Sequence, residues 1–279
     1  MDPCATTLQN KSTNQPKTGA PAPSILYLCK SDLIKLGGCS NQLYIDAVTE
    51  GLALHSAGEV VQPLKPYLRW PVAPHIADRI IAMPGFLGGE SPIAGIKWVG
   101  SREANSKKYG LPRASALIIL NDSDTNYPVA IMEGGLISGM RTAAITAVAT
   151  KYLAKRDFSR VSCVGCGPIA EMHLRTLLEQ FPSIQIIHLF DINTGAAFNL
   201  QLAIQSEHPT VDVIVEQSAR AAVESAEVLV TCTVTDKPYI EYSWLKPGVF
   251  ISNVSIMDVH KEVYERADKV VVDDWDQSN

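Results

Sequence analysis

The stretch RVSCVGCGPIAEMHLRTLLEQF, Arg160 to Phe181, and the run IQIIHLFD that ends at Asp191 limit what this chain can fold into more than any other part of it. β-prone residues lead into Gly165-Cys166-Gly167. Ala170, Leu174, Leu177 or Leu178, and Phe181 then recur at helical spacing, and a second β-prone run closes on an acid. In a strand–turn–helix–strand unit of this kind the first glycine permits the tight turn. The second lets the backbone approach a pyrophosphate, and Ala170 is small enough for the helix to pack on the sheet. The helix start offers free amides and its positive dipole end, and Pro168 removes only a donor that is free anyway. Asp191, 24 positions after Gly167, is placed to accept both hydroxyls of an adenosine ribose.

A dinucleotide cradle built on Gly165, Gly167, Pro168, Ile169 and Asp191 is therefore expected, with NAD as its coenzyme. A 2′-phosphate beside Asp191 would be repelled by about 4 kcal/mol at close range and an effective dielectric near 20, a figure that solvent trims. No Arg follows in DINTG to reverse that preference. Cys163 and Cys166 suggest a metal site only superficially. A closed zinc site needs four ligands, and no second Cys or His pair stands at ligand spacing; no metal is expected.

Around this unit the pattern alternates. VSCV, IQIIHLF, VDVIV, EVLVTC, VFISNV and KVVV read as strands separated by helical or loop segments. That alternation predicts an α/β fold with a Rossmann-type, doubly wound parallel sheet over residues 141–279. Residues 25–140 read as a mixed α+β lobe. ILYLCKSDLIKLGG predicts a short strand and helix, and Ser40 or Asn41 caps a helix with Leu43, Ala47, Val48 and Leu52 as its apolar stripe. IADRIIAM, GIKWV and SALIIL read as strands, NDSDTN as a turn, and YPVAIME as the return strand of a hairpin. The following helix, ending near Lys155, places Leu136, Met140, Ala144 and Val148 on one face.

Residues 1–24 are Thr-, Asn- and Pro-rich without an apolar core, which predicts a disordered tail rather than a signal peptide. Six dispersed cysteines fit reduced thiols in a cytoplasm. A net charge of −5 gives nucleic acid no general electrostatic reason to bind. No apolar run approaches the roughly 18 residues of a membrane span.

The pieces AGIKWVGS, LNDSDTNYPVAIME, MRTAA, VGCGPIA, LFDIN, TCTVTDKPYI and ISNVSIMDVHKEV are together far more specific than a glycine turn. On them, residues 25–279 resemble the ornithine cyclodeaminase/μ-crystallin family. IADRIIAMP, ISNVSIMDVHKE and KVVVDDW favour its NAD-dependent dehydrogenase branch of 2,3-diaminopropionate biosynthesis in siderophore pathways. That branch cleaves N-(2-amino-2-carboxyethyl)-L-glutamate oxidatively to 2-oxoglutarate and L-2,3-diaminopropionate. The resemblance implies that Lys97 and Arg141 hold a substrate carboxylate. Further cations should meet the remaining carboxylates. Lys65, Arg69, Arg79, Arg102 and Arg113 are the candidates, Arg79 first and Arg69 second.

On the cofactor side the resemblance adds Ser115, Arg141, Thr142, Thr231, Thr233, Asn253 and Ser255. A base is needed for the amine and for water. Lys97 is one catalytic candidate, and His260 is the imidazole best placed by sequence, with Asp258 as its alternative. A surface histidine at a helix start is the competing reading of His260. Two departures argue against ornithine cyclisation: Ile81 and Ile256 stand where cyclodeaminases carry carboxylates. A homodimer through the first lobe is expected. The chain stops at VVDDWDQSN, where relatives continue with a returning segment. Other amino- or imino-acid oxidoreductases of the family, and an NAD-binding protein without turnover, remain the alternatives.

Overall fold

The structure is a computed structural model that describes residues 24–71, 75–255 and 257–275. The expected N-terminal tail and the Ile256 position lie outside the described residues. Element order is β1 (Leu26–Leu28), α1 (Lys30–Lys35), α2 (Asn41–Ser56), β2 (Val60–Val61), β3 (Tyr67–Leu68), β4 (Arg79–Leu87) and β5 (Ile93–Ser101). Then follow α3 (Asn105–Tyr109), β6 (Ala114–Asp122), β7 (Pro128–Glu133) and the long α4 (Gly135–Leu153). The second half contains β8 (Arg160–Val164), α5 (Pro168–Gln180), β9 (Ile186–Phe190), α6 (Thr194–Glu207), β10 (Asp212–Val215), α7 (Ala219–Ser225), β11 (Val228–Thr231), β12 (Phe250–Asn253) and α8 (Lys261–Arg266).

Two sheets result. The first has seven strands in the order β1-β7-β6-β5-β4-β2, with β3 pairing on β4. It is antiparallel except for β1, which runs parallel to β7. The second has five strands, all parallel, in the order β10-β9-β8-β11-β12. Its chain order reverses between β8 and β11, which opens a crevice at the carboxyl ends of those strands. Helices cover both of its faces, so its strands are apolar without alternation: Val161, Cys163, Leu189, Val228, Leu229 and Val230 are fully buried.

Helix α4 belongs to both halves. Leu136, Met140 and Ala144 pack with Leu33 and Tyr44 in the first. Farther along, Ala147 joins the core of the second, and Thr146 shares a 2.7 Å hydrogen bond with Ser252 of β12. The expected boundary between residues 140 and 141 thus falls inside a continuous helix.

Two sequence expectations are corrected. Ser40 caps α2, accepting from the Leu43 amide, but the inward face is Tyr44, Ile45 and Val48; Leu43 is 52% and Leu52 38% exposed. The helix is turned by about one residue because its start is held against α5, with Asn41 Oδ1 accepting from Thr176. Lys269–Val272 form no strand. The run has no ladder partner among the described residues, and Val271 is 63% exposed.

Candidate active site between the two sheets

At the end of β8, Gly165 has φ of 90°, and a Cβ there would lie 2.7 Å from the Cys232 carbonyl carbon. Only glycine fits a left-handed turn pressed against the β11 backbone. At Gly167, the N-cap of α5, a Cβ would meet nothing within 4 Å. The missing side chain therefore leaves open space over the free amides of the helix start, the shape a pyrophosphate needs. Ala170 and Leu174 behind it are fully buried. Asp191 lies at this bend: its Oδ2 accepts from the Cys166 amide at 2.7 Å and its Oδ1 from the Asn193 amide at 2.7 Å. The residues present fit the adenine-nucleotide half of NAD. Cys163 packs fully buried in the sheet core, and burial and Asp191 push the Cys166 thiol up to about 12. Both thiols thus act as small apolar groups.

Beside the turn, the carboxyl ends of β11 and β12 are knitted together. Thr231 donates to Asn253 Oδ1 at 2.7 Å and accepts from Ser255 Oγ at 2.9 Å, while Asn253 Nδ2 donates to the Tyr264 hydroxyl at 2.8 Å. Thr233 donates to Asp258 Oδ1 at 2.8 Å. These side chains spend their hydroxyls within the protein and so set the shape of the crevice wall.

The cations gather on one face of the first sheet. Lys97 of β5 donates from Nζ to Ser138 Oγ of α4 at 3.1 Å. Burial brings its amine down to about 8, and Arg141 and Lys65 push the same way. Arg141, one turn beyond Ser138, is also pulled down by burial, with Asp273 acting against that. Lys97 is thus held against α4, where the charge of Arg141 bears on it. Thr142 instead turns its hydroxyl back to the Ser138 carbonyl. The Arg79 and Arg69 guanidinium carbons stand 5.3 and 6.0 Å from the Tyr67 ring centroid.

Two predicted residues land elsewhere, and a third, Asp258, is spent holding the wall together. Ser115 pairs with Gly100, an odd number of positions from Lys97, so strand alternation points it to the opposite, exposed face. Asp258 is fully buried; its Oδ1 also accepts from the Tyr239 hydroxyl at 2.8 Å, making it a latch for the loop after β11. His260 lies in an outer groove with Glu241, Tyr242 and Arg266, a set sharing no residue with the recorded partners of Lys97. The Ile240–Val259 bridge, with the His260 amide donating to the Ile240 carbonyl at 3.1 Å, fixes His260 beside Glu241 and Tyr242. Sequence reasoning missed Ser138 and Tyr67. Ser138 carried one signal, its three-residue spacing from Arg141 on a helix.

Residues 37–277 match the sequence profile of the ornithine cyclodeaminase/mu-crystallin family. Over 256 residues the chain is 52% identical to N-((2S)-2-amino-2-carboxyethyl)-L-glutamate dehydrogenase of Staphylococcus aureus, spanning 91% of this chain and 76% of that protein. An archaeal alanine dehydrogenase dimer with bound NAD superposes with a TM-score of 0.79 at 31% identity, covering 91% of this chain and 76% of the other. The Δ1-pyrroline-2-carboxylate reductase of Thermococcus litoralis, in complex with NADH and L-proline, gives 0.76 at 31% identity, covering 83% and 69%.

Proposed function

The chain belongs to the ornithine cyclodeaminase/mu-crystallin family, and from that premise we propose that it is an NAD-dependent dehydrogenase of N-(2-amino-2-carboxyethyl)-L-glutamate. Its products are 2-oxoglutarate and L-2,3-diaminopropionate, the latter a siderophore precursor. The observation that carries this reading is the Lys97–Ser138 hydrogen bond, which sets Lys97 one helical turn from Arg141 on a chain whose second sheet carries the Gly167–Asp191 cradle. The 52% identity to the Staphylococcus aureus enzyme supports the substrate.

Gly165, Gly167, Pro168, Ile169 and Asp191 would hold NAD, which supplies the acceptor for the substrate's Cα hydride. The rest falls to the chain's own residues. Arg141 stays cationic and holds a carboxylate, a charge-assisted contact contributing about 1.5–3 kcal/mol. Lys97, with its amine near 8, accepts the proton that the secondary amine must lose, and Ser138 holds that amine in place. Water then adds to the imine carbon. The carbon–nitrogen bond breaks, oxygen stays on the glutamyl carbon as a ketone, and nitrogen leaves with diaminopropionate.

The protein acts as a homodimer in the cytoplasm. Tyr27, Leu68, Trp98 and Leu117 share the sheet face opposite Lys97 and expose 65, 53, 44 and 44% of their surface. An apolar face of this kind calls for a cover. The five cysteines among the described residues are free, in keeping with a reducing compartment.

The test follows reduced-nicotinamide absorbance with NAD and a panel of amino donors. NADH should form with the glutamate–diaminopropionate adduct. Turnover of alanine or ornithine instead overturns the substrate, and NADH binding without turnover of any donor leaves only a binding protein. Sedimentation of wild type and Trp98→Glu should give a dimer and a monomer.

A further inference from the structure

On the sheet face that carries Lys97, a second group of cations sits four residues along the strands. Arg79 pairs with Ser101, and Ser101 with Ala114, so the ends of β4 and β5 meet the start of β6. Arg113 directly precedes that start. Its Nη1 donates to Ser101 Oγ at 3.1 Å, and Ser101 donates onward to the Ala77 carbonyl. Arg79 Nη1 donates to the Ile76 carbonyl at 3.2 Å, with its guanidinium against the Tyr67 ring. Each fork is therefore aimed, yet among the described residues each donates only one N–H to a protein oxygen, out of the five a guanidinium carries.

Neither guanidinium has a carboxylate partner among the described residues. The acid adjacent in sequence, Asp78, is buried and turned away, accepting from the Glu103 amide at 2.7 Å. Burial pulls both guanidinium groups down, and the positive charge of Arg79 adds to that at Arg113. Two half-buried like charges without a counter-ion among the described residues oppose folding, a cost that an anionic ligand would relieve.

We propose that Arg79 and Arg113 form a second anion subsite that takes a substrate carboxylate remote from the one on Arg141, and so select polycarboxylate amines. The proposal rests on the dehydrogenase reading and adds its specificity element. The Arg79–Ser101 and Met83–Lys97 rungs stand roughly 13 Å apart at about 3.3 Å per residue, a span that long cationic side chains shorten from both ends. Alanine has no second carboxylate to reach it. Ornithine would present an ammonium to two guanidinium groups, so the subsite repels as well as attracts.

The test is calorimetric titration of the NADH-loaded protein with 2-oxoglutarate and, separately, pyruvate. Wild type should bind 2-oxoglutarate more tightly. Arg113→Gln and Arg79→Gln should each weaken 2-oxoglutarate by about tenfold to a hundredfold and leave pyruvate and NADH affinity in place. Arg113→Lys should recover part of the loss. Equal weakening of both keto acids, no weakening of either, or no preference in wild type overturns the subsite. Failure of the dehydrogenase reading shows up separately, as absence of NADH from the adduct with the dicarboxylate preference intact.

Discussion

In the parallel sheet, Val161, Cys163, Val228, Leu229 and Val230 expose none of their surface; in the antiparallel sheet, Trp98 and Leu117 each expose 44% and Tyr27 65%. The first is sealed on both faces by its own helices. The second is covered on one face by α2 and α4, left open on the other, and lined near its cleft by cations that repel one another. The contrast separates two uses of a sheet. One is a finished core whose loops shape a cradle, and the other leaves charge and apolar surface open.

The cradle offers the sharpest way to break this contrast. Gly165→Ala puts a methyl against the Cys232 backbone at a left-handed φ and should lower stability by about 3 kcal/mol or more in denaturant unfolding. Gly167→Val adds bulk where a Cβ meets nothing, so it should change stability by less than about 0.5 kcal/mol while abolishing NADH binding. Unchanged NADH affinity in Gly167→Val would remove the cradle from the argument.

In the charged cleft the expected sign is opposite. Lys97→Met should lower kcat by about a hundredfold to ten-thousandfold yet raise the melting temperature, because it deletes a half-buried cation facing Arg141 and Lys65. The fold holds the Lys97 amine at about 8, below its usual 10.5, so the neutral amine predominates only above about pH 8. Below pH 8 the charged amine opposes folding; that penalty fades as pH rises toward 10.5. In the same way kcat/KM should climb through about pH 8 in wild type, and Lys97→Arg should lose that limb.

The smallest effect belongs to the sealed half. His173 is fully buried on α5, with its Nδ1 donating to the Ile169 carbonyl at 2.7 Å, and burial brings it down to about 4 from 6.5. The unfolded chain therefore takes up this proton first. The stabilisation is present above about pH 6.5 and is lost as pH falls toward 4. His173→Asn, which keeps a donor for that carbonyl, should flatten the fall in melting temperature over this window; an unchanged slope would assign acid sensitivity elsewhere.

The second half was legible because its signals are local. The glycine turn, the Ala170–Leu174–Leu177 stripe and the run ending at Asp191 each state their role within a few residues. What required partners was misread. Leu43 and Leu52 match a helical stripe as well as Tyr44 and Val48 do, and only the docking of Asn41 on Thr176 decides between the faces. KVVV has strand composition but pairs with no strand among the described residues. Ser115 required a register across two strands, and His260 a bridge to Ile240. The Arg79–Ser101–Arg113 arrangement involves three strands at once, so no spacing along the chain marks it.

Helix α4 carries Arg141 to the side of the first sheet where Lys97 sits and, five residues later, Thr146 onto Ser252 of the second sheet. Five residues of α-helix rise about 7.5 Å, so this offset is set by backbone pitch rather than by a loop. The molecule in effect carries a ruler between its two sheets. A single residue inserted between Arg141 and Thr146 would swing the guanidinium about 100° around the axis, disarming the site while every other part stayed in place.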